Sequence, residues 1–205
     1  MSTGFPRIPY ALRQDIAAEM EEQRRHQRIR FANPPPVRIG YGGTIAEGRL
    51  ENLSLSGFMV RTSVPLEVGK NFGCEFSVLG SSRIDAVAVT VSRLGNLCGA
   101  RFLAGPINSL LIKDAIEEAI ESGQASCVST HILQGRKIMV VAGGLNATLE
   151  NDFNYALTKA GIDELDLSAV TRIDEAGLAL CKNAMRNHGI TIGARSECFM
   201  RAWKA

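Results

Sequence analysis

Several things are scarce in this chain, and each shortage removes a class of function. No apolar run approaches the ~18 residues that a membrane-crossing helix needs, so membrane insertion is not expected. Charge of one sign is also missing. The 23 Lys and Arg nearly cancel the 21 Asp and Glu, leaving +2. Bulk electrostatic attraction to nucleic acid or to a membrane surface therefore gets little support, although a local basic patch stays open. The five cysteines, Cys74, Cys98, Cys127, Cys181 and Cys198, contain no CxxC pair. Neither a zinc site nor a redox motif is expected, and they read as reduced thiols of a cytoplasmic protein, mostly filling core. His26, His131 and His188 lack metal-ligand spacing. There is no Gly-x-Ser-x-Gly, no P-loop and no paired-carboxylate site, so no catalytic residue, metal or cofactor is assigned and an enzyme is not expected. Met1–Tyr10 holds one Arg and no apolar stretch, which does not read as a signal peptide.

What remains is ordinary globular material. Hydrophobic residues make up 45% and charged residues 21%, enough apolar content to build a core. A length of 205 residues fits one large domain or two small ones. The pattern changes near residue 125. Leu12 to about Arg28 reads as a helix, followed by Asn33-Pro34-Pro35-Pro36, which cannot be helix interior. Short strand-like segments follow: Val37–Gly40 and Thr44–Glu51 around a Tyr41-Gly42-Gly43 turn, Phe58–Thr62, the alternating Phe72, Cys74, Phe76 and Val78, Ala86–Val91, and Cys98, Ala100 and Phe102. Their spacing predicts a small antiparallel barrel. A closing helix is expected with Ile107, Leu110, Leu111, Ala115, Ala119 and Ile120 on its buried face, ending at Gly123.

Ser122–Ser129 is small and polar and reads as a linker. Beyond it, Val128–Leu133 and Arg136–Val141 form a hairpin around Gln134-Gly135, and Gly143-Gly144 reads as a turn. Thr148 is expected to cap a helix that stops at Gly161. Glu164–Leu167, a helix stopped by Gly189, and Ile190–Ile192 complete an alternation of strands and helices. This predicts a mixed or parallel sheet with helices packed on it. Trp203 fits either packing or a partner surface.

Two features carry chemistry. Arg24, Arg25, Arg28 and Arg30 fall within seven residues with no acid between them. Such a cluster is either a solvated helix end or a grip for phosphate oxygens and guanine O6/N7 pairs, which match the guanidinium fork. Asn52-Leu53-Ser54-Leu55-Ser56-Gly57 follows a strand. It is either a plain turn or a ligand loop, with Asn52 and Ser54 pointing the same way and Gly57 letting backbone approach a ligand.

Taken together, Arg24-x-x-x-Arg28 and Asn52-x-Ser54-x-x-Gly57 resemble the PilZ domain family of bacterial cyclic di-GMP receptors. The Gly99-Ala100-Arg101-Phe102 strand before the closing helix is similar too. The resemblance spans roughly Gln23 to Gly123 and implies a ligand, cyclic di-GMP, bound by Arg24, Arg25, Arg28, Asn52, Ser54 and Gly57. The triple proline departs from the pattern and stiffens the path into the barrel. The segment Asp166-Leu167-Ser168 through Ile173-Asp174-Glu175-Ala176-Gly177-Leu178 resembles the STAS family, over about Thr130 to Ala205. That resemblance implies protein–protein contact. The hydroxyl residue that is phosphorylated in many members of that family falls at Glu175, with Ala176 beside it. Neither can accept phosphate, and Glu175 reads either as a standing negative charge in place of the phosphate or as an ordinary acid in a helix's first turn.

The expected architecture has two domains: an N-terminal antiparallel β-barrel (PilZ-like) with flanking helices, and a C-terminal α/β STAS-like domain. The expected boundaries are 1–22 for the N-terminal tail and helix, 23–124 for the barrel with its closing helix, and 128–205 for the α/β domain. The expected role is a cytoplasmic cyclic di-GMP receptor that signals to a protein partner, with a homodimer left open and no nucleic acid bound. A ligand-free adaptor acting by protein contact alone is the alternative.

Overall fold

The computed structural model describes residues 27–103 and 105–204. The helix expected from Leu12 lies outside them up to its last two residues. Gln27 and Arg28 are not helical and lead straight into β1, Ile29–Phe31. Six more strands follow: β2 (Pro36–Tyr41), β3 (Thr44–Ser54), β4 (Gly57–Thr62), β5 (Asn71–Phe76), β6 (Ile84–Leu94) and β7 (Leu97–Phe102). β3 pairs with β2 and β4, β2 with β5, β5 with β6, β6 with β7 and β7 with β4, all antiparallel. The pairing closes on itself, giving a six-stranded antiparallel barrel.

Period-two alternation builds it. In β5, Phe72, Cys74 and Phe76 face inward while Asn71, Gly73 and Glu75 face out. Phe58, Phe72, Phe76 and Phe102 meet in the barrel core, with ring centroids 4.8 Å apart for the Phe58–Phe102 pair. The β2–β3 hairpin turns on Gly42 and Gly43, at φ 59° and 79°, the left-handed pair that a two-residue turn of this hand requires.

Helix α1 (Pro106–Glu121) packs on the barrel through Ile112, Ala115 and Ala119, with Leu111, Ile116 and Ile120 at the margin. The expected face is corrected at two positions. Ile107 and Leu110 are 78% and 58% exposed, because they lie well round the helix from Ile112.

The remaining strands are β8 (Ala125–Leu133), β9 (Arg136–Leu145), β10 (Glu164–Ile173) and β11 (Thr191–Arg195). β8 and β9 form the expected hairpin, turning on Gln134 and Gly135 at φ 52° and 79°. β9, β10 and β11 are parallel neighbours. The helices are α2 (Glu150–Tyr155, between a 3-10 turn and a π turn), α3 (Glu175–His188) and α4 (Glu197–Lys204). They enclose a second core that includes Met139, Phe153, Leu165, Cys181 and Phe199. Gly161 and Gly189 end their helices left-handed, at φ 63° and 68°. Trp203 stacks on Phe199 at 5.2 Å, with Lys182 Nζ over its ring.

Three local expectations are corrected. The presumed linker Ser122–Ser129 is structural: β8 begins at Ala125 and pairs with β1, burying Ala125, Ser126 and Cys127. Their small side chains look linker-like in sequence, but here they allow close strand packing. Gly143 and Gly144 are not a turn; they lie within β9, where any Cβ would collide with the backbone carbonyls of Ala125 and Gly123. The cap before α2 is Asn146, whose side chain accepts from Thr148 N at 2.9 Å, and not Thr148.

β1 is the joint of the molecule. It pairs with barrel strand β3 on one side and with β8 on the other, so eleven strands form one continuous sheet. Ala32 N also bonds Gln124 O at 2.9 Å, tying the exit of β1 to the end of α1. The proline run then holds to β3, with Leu50 N donating to Pro35 O at 2.9 Å. Among the described residues no helix is long and apolar enough to cross a membrane.

Candidate functional site

Of the sequence-predicted site residues, Arg24 and Arg25 lie outside the described residues. Arg28 stands exposed immediately before β1. Strand alternation sends Arg28 and Arg30 to one face, opposite the buried Ile29 and Phe31. Arg30 is the direct cross-strand partner of Asn52 on β3 and of Ser126 on β8. Directly opposed residues share a face with Cβ atoms about 4.5–5.5 Å apart, so the arginine strand and Asn52 form one surface.

Asn52 reaches that surface through a bulge. The β3–β4 register shifts between Leu50 and Asn52, so Glu51 is an extra residue between buried Leu50 and Leu53. The bulge leaves Asn52 paired with Met59 and turned away from the barrel core. Asn52 Oδ1 is buried and, among the described residues, has no hydrogen-bond partner. An unpaired buried acceptor costs about 1–3 kcal/mol, which makes it a feature in want of a donor.

The other two loop residues play a different part. Ser54 is fully buried, and its hydroxyl donates to Gly57 O at 2.9 Å across the two-residue turn Leu55–Ser56. Gly57 is not left-handed. Its need for glycine comes from the barrel wall, because a Cβ there would overlap the carbonyl of Ala100 on β7. Ser54 and Gly57 therefore shape the rim on which Asn52 sits.

Sequence reasoning missed one member of this surface. Arg30 Nη1 bonds Asp152 Oδ2 on α2 at 2.5 Å. The C-terminal unit thus reaches the arginine strand. Burial pushes the Asp152 carboxyl above its ordinary range, and the Arg30 guanidinium opposes that rise. The four residues Arg28, Arg30, Asn52 and Asp152 juxtapose two guanidinium forks, an amide and one carboxylate. Such a surface suits an anionic ligand with polar edges and holds no nucleophile–base pair. Among the described residues no group of three His, Cys, Asp or Glu is placed to hold a metal. A depression elsewhere on the barrel wall, lined by Arg49, Arg61 and Asn96, includes none of the predicted residues.

Residues 22–122 match the family model of the PilZ domain, so this stretch of the chain is a PilZ domain. The structure is similar to the PilZ domain with cyclic di-GMP of YcgR from Escherichia coli, at 22% identity and a TM-score of 0.41, covering 49% of this chain and 96% of that one. It is also similar to YcgR from Escherichia coli in complex with cyclic di-GMP, at 22% identity and a TM-score of 0.42, covering 47% and 46% of the two chains. The PlzA protein of Borreliella burgdorferi in complex with cyclic di-GMP shares 18% identity at a TM-score of 0.37, covering 51% of this chain and 44% of that one. None of the curated proteins matches the chain.

Proposed function

We propose that this protein is a cytoplasmic receptor for cyclic di-GMP that passes its ligand state to a protein partner through the C-terminal α/β unit. The proposed ligand set is Arg24, Arg25, Arg28, Asn52, Ser54 and Gly57. The observation that carries the reading is the pairing of β1 with β3 inside a PilZ domain, which sets the end of Arg24-x-x-x-Arg28 beside Asn52 on one face. The ligand is a dianion with two guanines. Arginine forks satisfy either a phosphate or a guanine O6/N7 pair with two charge-assisted bonds. Asn52 offers an amide to a base edge, while Ser54 and Gly57 hold the rim. No bond is made or broken in this role.

The relay follows from the joint. β1 is hydrogen-bonded to both the barrel and β8, so ligand contact at the arginine strand is felt by both halves. The ligand shifts only what it binds differently in the two arrangements. The C-terminal unit, from about residue 128, is read as a STAS-like module that makes the protein contact. The rest of the division stands as proposed, with a tail over 1–22 and the receptor domain over 23–124.

The test is a mutational series read by equilibrium binding of cyclic di-GMP to the full chain. Arg24→Ala and Arg28→Ala each remove a bidentate contact worth ~1–3 kcal/mol, and each is expected to weaken binding at least about fivefold. Arg28→Lys recovers little, because lysine lacks the fork. Arg83→Ala, at an exposed arginine just before β6 paired with Glu75 on the neighbouring strand β5, serves as charge control and leaves affinity unchanged. Equal losses at Arg83 and Arg28 would show a mere electrostatic attractor. Ser54 favours the adaptor alternative in one respect: its hydroxyl is already spent on Gly57 O. Wild-type protein without saturable binding would establish that alternative.

A further inference from the structure

In the contact between Arg30 and Asp152, a side chain of the C-terminal helices takes hold of the arginine strand. Arg30 lies outside the R-x-x-x-R motif, yet alternation puts it on the same face as Arg28. The β1–β3 register sets it directly opposite Asn52, whose Oδ1 has no partner among the described residues. Arg30 therefore stands within the proposed ligand surface. Its guanidinium is nearly half exposed, whereas the Asp152 carboxylate is the more covered partner, at 25% exposure. The carboxylate comes from α2, which is anchored from behind by Leu149, Phe153 and Ala156 in the second core.

A carboxylate and a phosphate present the same pair of oxygens to an arginine fork. The two compete for Arg30, and an approaching dianion also meets repulsion from Asp152. We propose that Arg30 is a further ligand-contacting residue of this site and that Asp152 is its internal competitor, so that ligand binding detaches α2 from β1. This rests on the reading of the site as a cyclic di-GMP receptor and gives it a route of transmission. The ligand's phosphate takes over Arg30, Asp152 loses its counter-charge, and the contact between α2 and the arginine strand opens. The hydrophobic anchors of α2 stay in place and the β1–β8 pairing persists, so the C-terminal unit remains folded and joined while the hold of α2 on β1 is released.

The competitor arrangement makes a signed forecast that a merely structural ion pair does not. Affinity of the full chain for cyclic di-GMP is measured for wild type, Asp152→Asn, Arg30→Ala and the double variant, with thermal melting as a check on folding. Both side chains lie at the surface, so all four proteins are expected to fold. Asp152→Asn should bind about threefold more tightly. Arg30→Ala should bind about fivefold more weakly, and Asp152→Asn should bring no gain in the Arg30→Ala background. Amide hydrogen exchange in α2 should speed up on ligand addition in wild type and be fast already in Asp152→Asn without ligand. Wild-type binding with no gain in Asp152→Asn overturns the inference and leaves the receptor reading standing. Weaker binding by Asp152→Asn also overturns it, and would mark Asp152 as a reader of the guanine edge. Absence of binding in all four proteins sinks the receptor reading and the inference with it.

Discussion

Replacing Gly57 with alanine tests whether the last residue of the Asn-Ser-Gly loop serves the barrel before it serves a ligand. A Cβ on Gly57 would fall inside the carbonyl of Ala100 and close to the Arg101 backbone. Both atoms belong to the β7 ladder, in which Gly57 pairs with Arg101 and Phe58 with Ala100. They cannot rotate away as a side-chain tip could. β4 and β7 must separate locally, or the turn through Leu55 and Ser56 must distort and strain the Ser54 bond to Gly57 O. Overpacking of this kind costs about 1–3 kcal/mol. For a chain of this size each kcal/mol lowers Tm by roughly 2–4 °C, so Gly57→Ala should melt about 2–12 °C below wild type. Gly73→Ala is the matched control. It lies in β5 without left-handed backbone, and its Cβ would meet only Gly40 O at 3.9 Å. Losing glycine entropy from the unfolded chain makes that variant neutral or slightly more stable. The assay is thermal unfolding by circular dichroism with no nucleotide present. If Gly57→Ala melts with Gly73→Ala, the close approach of β4 to β7 is wrong, and glycine at 57 needs another explanation.

The two polar residues of the loop should separate cleanly. Ser54→Ala loses a buried hydrogen bond and should cost about 0.5–1.5 kcal/mol in urea unfolding, whereas Asn52→Ala removes an acceptor unpartnered among the described residues, leaves stability unchanged or raised and lowers ligand affinity. Equal stability losses for both would contradict the assignment. Burial pushes the thiols of Cys74 and Cys181 up to about 12 and that of Cys127 up to about 11, and Cys98 is buried as well. A thiol reagent at neutral pH should therefore modify only Cys198 in the native protein and all five cysteines in denaturant. The Asp152 carboxyl is raised in the fold, so the folded state holds that proton more tightly than the unfolded chain. Stability from this group thus falls as pH rises through the carboxylate range, and Asp152→Asn should gain in Tm relative to wild type between pH 4 and pH 7. A difference that stays flat or reverses across that range would refute it.

How much was readable beforehand depends on how far apart the partners lie. The barrel was legible because its evidence is local: Phe72, Cys74 and Phe76 alternate within one strand, and Gly42-Gly43 and Gln134-Gly135 announce their turns. The joint was not. Ala125, Ser126 and Cys127 look like a linker until β1, about a hundred residues earlier, is laid beside them. Gly143 and Gly144 read as a turn because nothing in their neighbourhood reveals the carbonyls of Ala125 and Gly123. Ile107 and Leu110 are as apolar as Ile112, and apolarity does not say which side of a helix meets a barrel. At the site, motif spacing picked out Asn52 and Arg28. The bulge at Glu51 that orients Asn52, and the partner Asp152, follow from pairings that no short window contains.

The most direct test of the receptor claim is calorimetric titration of the wild-type full chain with cyclic di-GMP, alongside cyclic di-AMP under the same conditions. Both ligands carry two phosphates, but guanine offers arginine an O6/N7 acceptor pair where adenine offers one acceptor and one donor. The account predicts saturable heat with cyclic di-GMP at micromolar concentration, and at least about tenfold weaker binding of cyclic di-AMP. No saturable heat, or equal affinity for the two dinucleotides, would contradict it.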